Sequence, residues 1–394
     1  DDYFNCLTVG SVMRPVTDTH NISRAKLAYL IDATAAPICI IAPISSWAAA
    51  VAAFASKSDA NGIALFISAI PYNFYALLTI LMMITLAVSK TDFGPMALHE
   101  RNALKGDLFT TENRPYADAD AHEDTSKGRV IDLVLPVVVL VIACVIGLIY
   151  TGGFFSGESF VSAFANCSAS MGLVLGSSVA LVFAILFFIA RRVLSFKQCM
   201  ACIPEGFKAM VPAILILTFA WTLKSMTDSL GAAEYVAGVV HASAGSFMNF
   251  LPAVIFIIAC LLSFATGTSW GTFGILIPIV LEVFGASGTA LSTISMSACM
   301  AGAVCGDHCS PISDTTIMSS AGAQCDHVNH VSTQLPYAIS VAGISFITYL
   351  ICGVLLTIGM ANPVWVALPL GIVLTIVYIM LMKRATSKKY ASQA

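Results

Sequence analysis

The chain has 394 residues, 58% hydrophobic and 10% charged, with a net charge of −3 and a mean hydropathy of +0.87. A soluble domain is about 45–50% apolar, so this composition excludes an ordinary water-soluble fold. No basic stripe is present, and no nucleic-acid partner is expected.

The chain opens on Asp1, with no Met and no signal-like leader, so the sequence is expected to begin inside a longer protein. Beyond a polar start, apolar runs cover roughly 27–56, 62–89, 130–151, 173–190, 210–223, 248–265, 336–359 and 363–382. Each approaches or exceeds the ~20 residues that span a bilayer. Together they predict an all-α polytopic membrane protein.

Within the first run, Asp32 is expected either to pair with Arg24 or Lys26 or to lie on a pathway. Pro43 is expected to kink its helix, and Ser45 and Ser46 before Trp47 either line a path or serve the kink. Residues 91–129, with "NRPYADADAHEDTSKG", read as a solvated linker between two halves. Local excess of Lys and Arg at 14–26, 90–129 and 191–208 places those stretches in the cytoplasm by the positive-inside rule. Cys199 and Cys202 form a CxxC with no second pair, so no metal role is assigned to them. Lys224 and Asp228 share a helix face, either as an interfacial pair or as an internal compensating charge.

"SFATGTSWGTFGILIP", 263–278, interrupts an apolar run with Thr266, Gly267, Thr268, Ser269, Gly271 and Thr272. That pattern fits a re-entrant hairpin tip or a tight helix crossing through small residues. "CGDHCSPISDTTIMSSAGAQCDH", 305–327, then gathers Asp307, His308, Asp314, Asp326 and His327 between apolar stretches. Gly306 and Pro311 are expected to break the helix there, since Pro lacks an amide donor and blocks the preceding turn. Ser310, Ser313, Thr315 and Thr316 offer hydroxyls, and Asp307 and Asp314 offer carboxylates. With freed backbone carbonyls these suit a partly dehydrated Na⁺, and a carboxylate alone can carry a proton. The alternative is a polar loop that packs back on the bundle.

"DDYFNCLTVGSVM" can be laid against "GDHCSPISDTTIM", which puts Asp2 on Asp307, Asn5 on Ser310 and Thr8 on Ser313. Paired interrupted segments in two halves point to a transporter binding site. The organisation expected is 1–90 as the end of a first inverted repeat whose upstream part is missing, 91–129 as a cytoplasmic linker, 130–382 as the second transmembrane repeat, and 383–394 as a basic tail. No nucleophile elbow, HExxH, P-loop or dinucleotide motif occurs, so no enzyme is expected and transport must draw on an ion gradient or the solute's own.

The strings "DDYFNCLTVGSVMRPVTD", "ISRAKLAYLIDATAAPICIIAPISSW", "FATGTSWGTFGILIP" and "GDHCSPISDTTIMSSAGAQCDH" together resemble the NhaC-type sodium/proton antiporter family of the ion transporter superfamily. The resemblance runs from Asp2 to about Met382. It implies a secondary transporter of inverted repeats, each with a re-entrant hairpin and a broken helix around a midplane site. The hairpin tip would be 266–272, and the broken helices 307–316 and 2–11. The first hairpin would lie upstream of this chain. The implied site is Asp307, Ser310, Ser313, Asp314, Thr315, Asp2, Asn5, Thr8, Thr268 and Ser269, with Asp307, Thr268 and Ser269 as Na⁺ ligands. No cofactor is implied beyond transported Na⁺ and H⁺. The partners implied are the lipid bilayer of a bacterial inner membrane, the two ions and, in a homodimer, a second copy. The family also covers sodium/lactate–malate exchange, so two mechanisms stay open. In one, Na⁺ and H⁺ compete for Asp307, Asp2 and Asp314. In the other, Na⁺ or H⁺ accompanies a small organic acid or amino acid held between the half-helix tips.

Overall fold

A long apolar segment inside a bilayer can satisfy its own amides only as a helix or in a closed barrel. The computed structural model takes the first course, with no strand among the described residues. Those residues are 2, 5–45, 47, 48, 50, 51, 62–112, 128–160, 163, 167–230, 247–284 and 289–391. After a π-helical turn, Asn5–Val9, come α1 (Gly10–Thr19), α2 (Arg24–Ala33), α3 (Ala36–Cys39), α4 (Gly62–Ala69), α5 (Phe74–Ser89) and α6 (Pro95–Ala103). Next are α7 (Val130–Thr151), α8 (Ala169–Ala190), α9 (Phe196–Ser229), α10 (Leu251–Thr266) and α11 (Ser269–Phe284). The chain finishes with α12 (Ala290–Cys309), α13 (Asp314–Gly322), α14 (His327–Thr357) and α15 (Val364–Ala391).

Among the described residues, five stretches are long and apolar enough to cross a membrane: Val130–Thr151, Met171–Ala190, Met248–Thr266, His327–Thr357 and Val364–Lys388. A sixth exists if Gly62–Tyr72 and Phe74–Ser89, bent by 47°, cross as one. Val138, Ile142, Val182 and Leu186 stand exposed on two of these helices, as side chains meeting lipid do. The expected run 27–56 is not one helix. Thr34 ends α2 by turning its hydroxyl back to the Leu30 and Ile31 carbonyls, and α3, with Pro37 near its start, lasts four residues. The run 210–223 lies inside α9, and the side chains of Lys224 and Asp228 fall outside the described ones. Most of the acidic linker, 113–127, also lies outside the described residues, as does Ser46.

The chain divides into two compact units. One is made of Ala42–Phe66 and Asp118–Phe219. Its α7 and α8 touch backbone to backbone, because a Cβ on Gly147 would stand 2.3 Å from the Gly172 carbonyl. Asp132 on α7 pairs with Arg191 after α8 at 2.7 Å, and Ile63 and Leu148 form a small core with Ile44, Cys167 and Leu173. Ser45 caps locally there, donating to the Ala42 carbonyl and accepting from the Ala48 amide.

The other unit comprises Asp1–Ile41, Ile67–Ala117 and Ala220–Ala394. Its centre is α12, buried without interruption from Ser292 to Cys309. Gly302 and Gly306 let α10 lie directly on α12, where a Cβ would meet the Phe256 carbonyl at 2.3 Å or the Cys260 carbonyl at 2.1 Å. Gly306 is therefore helical, contrary to the expectation from sequence; it serves close approach, and the break lies further on. Around this centre, Arg24 pairs with Asp18 at 2.7 Å and donates to the Ala323 carbonyl at 2.9 Å. Lys26 pairs with Asp92 at 2.5 Å, and the Tyr337 hydroxyl reaches the same carboxylate at 2.6 Å. These bonds tie α2 to its neighbours and use up both cations near Asp32.

Candidate functional site

The site grows from the end of α12. Pro311 cannot donate to the preceding turn, and the helix stops at Cys309. Ser310 and Ser313 both take extended backbone, so 310–313 form a short connector between α12 and α13. Both serines anchor the connector through their hydroxyls. The Ser310 hydroxyl donates to the Phe264 carbonyl at 2.8 Å. Ser313 is the N-cap of α13, accepting from the Thr316 amide at 3.4 Å and bonding the Thr315 hydroxyl at 3.0 Å. Asp314 accepts from the Thr315 amide at 2.8 Å and occupies the first turn, where a carboxylate favours the helix dipole.

A helical hairpin meets this connector. Gly267 ends α10 with φ +68°, a left-handed conformation that glycine adopts without strain, and α11 starts at Ser269. A Cβ on Gly267 would lie 2.8 Å from the Ile312 carbonyl, so the hairpin tip rests directly on the broken segment. Ser269 then faces α12, with its hydroxyl 2.7 Å from Asp307 Oδ2 and 3.2 Å from the Ala303 carbonyl. Thr268 serves the turn itself, its hydroxyl accepting from the Gly271 amide at 3.4 Å and its carbonyl from the Thr272 hydroxyl at 3.0 Å.

Asp307 is 2% exposed, and its Oδ1 has no hydrogen-bond partner among the described residues. Asp314 and Asp32 are near enough to act on it electrostatically. A bare carboxylate in such surroundings is destabilised by several kcal/mol, so Asp307 calls for either a proton or a cation. One carboxylate with hydroxyls and carbonyls around it suits a hard monovalent ion. Among the described residues no group of three or more His, Cys, Asp or Glu is placed to hold a metal ion.

The first polar segment lies along α13. Cys6 Sγ is 3.2 Å from the Ser319 hydroxyl and 3.6 Å from the Thr315 carbonyl. Gly10 and Gly322 allow that contact, since a Cβ on Gly322 would meet the Cys6 carbonyl at 2.2 Å. Asp2 is buried at 1% exposure. Asn5 turns to α2, donating to the Ile31 carbonyl at 2.8 Å and to the Thr34 hydroxyl at 3.2 Å. Thr8 belongs to the π-helical turn, and its side chain lies outside the described ones. Asp307, Ser269, Ser310, Ser313, Asp314 and Thr315 thus meet where hairpin and break join, with Thr268 at the tip.

A second polar cluster was only partly visible in the sequence. Asp32 Oδ2 lies 3.2 Å from His330 Nε2 and accepts from the Gln334 amide at 2.8 Å. The same amide donates to the His308 carbonyl at 2.5 Å, and the Tyr75 hydroxyl is 2.8 Å from His308 Nδ1. Asp32 therefore pairs with neither Arg24 nor Lys26, whose partners are Asp18 and Asp92. A signal existed: His330, Thr333, Gln334 and Tyr337 recur at helical spacing as a polar stripe on α14.

Residues 27–354, which hold the hairpin, the break and both polar clusters, match the Na⁺/H⁺ antiporter family. The chain belongs to that family. With five or six membrane-length apolar helices among the described residues it is a multi-pass membrane transporter, in contact with lipid and with the ions it moves. An uncharacterized protein of Haemophilus influenzae is 41% identical over 365 residues, covering 90% of this chain and 68% of that protein. The malate-2H⁺/Na⁺-lactate antiporter of Bacillus subtilis is 29% identical over 164 residues, 40% of this chain and 33% of its own length. The arginine/ornithine antiporter ArcD of Halobacterium salinarum is 36% identical over 112 residues, 27% of this chain and 23% of its own length. No solved structure matches this chain.

Proposed function

We propose that this antiporter exchanges Na⁺ for H⁺ at Asp307, in a bacterial inner membrane. The observation that carries the reading is the state of that side chain: buried, held through Oδ2 by Ser269, with Oδ1 left without a partner at the junction of hairpin and break. Ser310, Ser313, Asp314, Thr315 and Thr268 shape the junction around it, and the segment with Asp2, Asn5 and Thr8 buttresses it through α13 and α2. Protonated Asp307 is neutral, and so is the ionised carboxylate with Na⁺ bound. The empty, ionised form carries a net charge that the apolar interior penalises. A carrier that changes conformation in the two neutral states and resists doing so in the charged one must exchange one ion for the other.

Likeness to a malate–lactate antiporter and an arginine/ornithine antiporter supports a second reading, in which a small organic acid or amino acid is carried with Na⁺ or H⁺. Proteoliposomes holding the full-length protein separate the two. With Na⁺ inside and none outside, the lumen is expected to acidify without ATP or any organic solute. Flux that requires ATP and ignores both gradients would overturn the assignment. Flux that starts only when malate, lactate, arginine or ornithine is added would favour the second reading.

A further inference from the structure

The pair Asp32–His330 takes no part in the exchange described above, yet it has the features of a binding site. Asp32 is 1% exposed and His330 0%. Asp32 Oδ1, His330 Nδ1 and the Gln334 Oε1 next to them have no hydrogen-bond partner among the described residues. Among the described residues no fixed cation is paired with Asp32, and Arg24 and Lys26 are bound to other carboxylates. With Nε2–H donated to Asp32 Oδ2, His330 is left with a bare Nδ1 lone pair. A proton added there turns the pair from −1 to neutral, and its release restores the charge. α14 begins at His327, so His330 lies in its first turn, close to the end where Val328 is 71% exposed.

We infer that Asp32 and His330 form a proton-binding site separate from the cation site at Asp307, and that charge couples the two. The inference rests on the Na⁺/H⁺ reading. Asp32 acts electrostatically on Asp307 from α2, and among the described residues its ion-pair partner is His330, at 3.2 Å, which screens it when protonated. An ionised pair attracts a cation to the unit interior; a protonated pair withdraws that attraction. Proton binding at one place then weakens Na⁺ binding at the other, and by linkage Na⁺ expels the proton. The other titratable groups on the packed elements are arranged differently. His308 on α12 is bonded at Nδ1 by Tyr75, with Nε2 buried and without a partner among the described residues, and it acts on Asp32 through charge alone; Cys6 is engaged by Ser319 and Thr315. Asp314 heads α13, held by the Thr315 amide, and Glu100 on α6 accepts from the Ser23 amide. None of these contacts Asp32 or His330 through a described hydrogen bond. Gln334 is the positioning residue, since its amide fixes Asp32 Oδ2 against the His308 carbonyl.

The test is the apparent Na⁺ constant of the full-length protein in proteoliposomes, measured as a function of pH. Each linked proton changes that constant about tenfold per pH unit. In wild type the slope should reflect both Asp307 and the pair. In His330→Gln, and separately in Asp32→Asn, it should fall by one proton, with Na⁺ still raising the melting temperature of the detergent-solubilised protein. Asp32→Glu, which keeps the carboxylate, should keep the full slope. If the first two variants do not fold, Gln334→Leu, which removes the amide held on Asp32 Oδ2, should shift the pH range over which the slope appears, and an unchanged profile overturns the site. A wild-type protein that couples Na⁺ to H⁺ while folded His330→Gln or Asp32→Asn keeps the full slope overturns the second site alone. A wild type with no pH-dependent Na⁺ constant overturns the Na⁺/H⁺ reading and this inference with it.

Discussion

At Asp307 hydroxyls do what an ion pair does elsewhere in the chain. Ser269 bonds Oδ2 at 2.7 Å, and Ser313 also acts on the carboxylate, so loss of Ser269 should be felt in ion binding more than in folding. A hydrogen bond to a charged group contributes about 1.5–3 kcal/mol. Ser269→Ala is therefore expected to raise the apparent Na⁺ constant by about 10-fold or more, read from gradient-driven flux, while the protein stays folded. An unchanged constant would remove Ser269 from the site. Asp307 and Ser269 were legible in the sequence because polar residues stand out within apolar runs. The partner of Asp32 was not, because His330 lies 298 positions away and the polar stripe on α14 does not say which residue it faces. Arg24 and Lys26 were the nearer candidates by sequence, but Asp18 and Asp92 hold them.

Among the elements, the hairpin and the broken helix form one device, and glycines set their distance. Gly267→Val would place a β-branched residue at φ +68° and against the Ile312 carbonyl at 2.8 Å. Strain of this kind costs about 1–3 kcal/mol, and it falls on the contact between tip and break. The expected result is a raised apparent Na⁺ constant with modest loss of melting temperature. Gly306→Val should behave in the opposite sense, since its Cβ would strike the Cys260 carbonyl at 2.1 Å in the α10–α12 crossing. There the folded yield should collapse first. Gly343 in α14 has nothing within 4 Å of its Cβ position, so Gly343→Ala should leave transport intact and stabilise the helix by up to about 1 kcal/mol. Thermal melting of the three purified variants checks this order. Sequence reading located the break but assigned it partly to the wrong residue. Gly306 and Pro311 both look like helix breakers, yet only the position flanked by capping serines becomes one. Pro278, Pro336 and Pro369 stay inside helices, so a proline alone did not mark where a span ends.

The whole molecule was legible at the level of class: apolar runs gave an all-helical membrane protein, and four strings together gave the family. The number of spans was less legible. Hydropathy sees an apolar run 27–56, whereas local bonding by Thr34 and the start at Pro37 divide its first part into short helices. Hydropathy also cannot tell a span from Ser269–Phe284, an apolar helix of 16 residues that belongs to the hairpin. A hairpin and a break, brought together by small residues, enclose the buried Asp307 carboxylate, which in the proposed exchange Na⁺ and H⁺ fill in turn. Asp307→Asn tests it most directly, since the amide fills the same volume without a charge to exchange. In proteoliposomes with Na⁺ inside, wild type should acidify the lumen, and Asp307→Asn, folded and inserted to the same extent, should not. Acidification by Asp307→Asn at the wild-type rate would contradict the account.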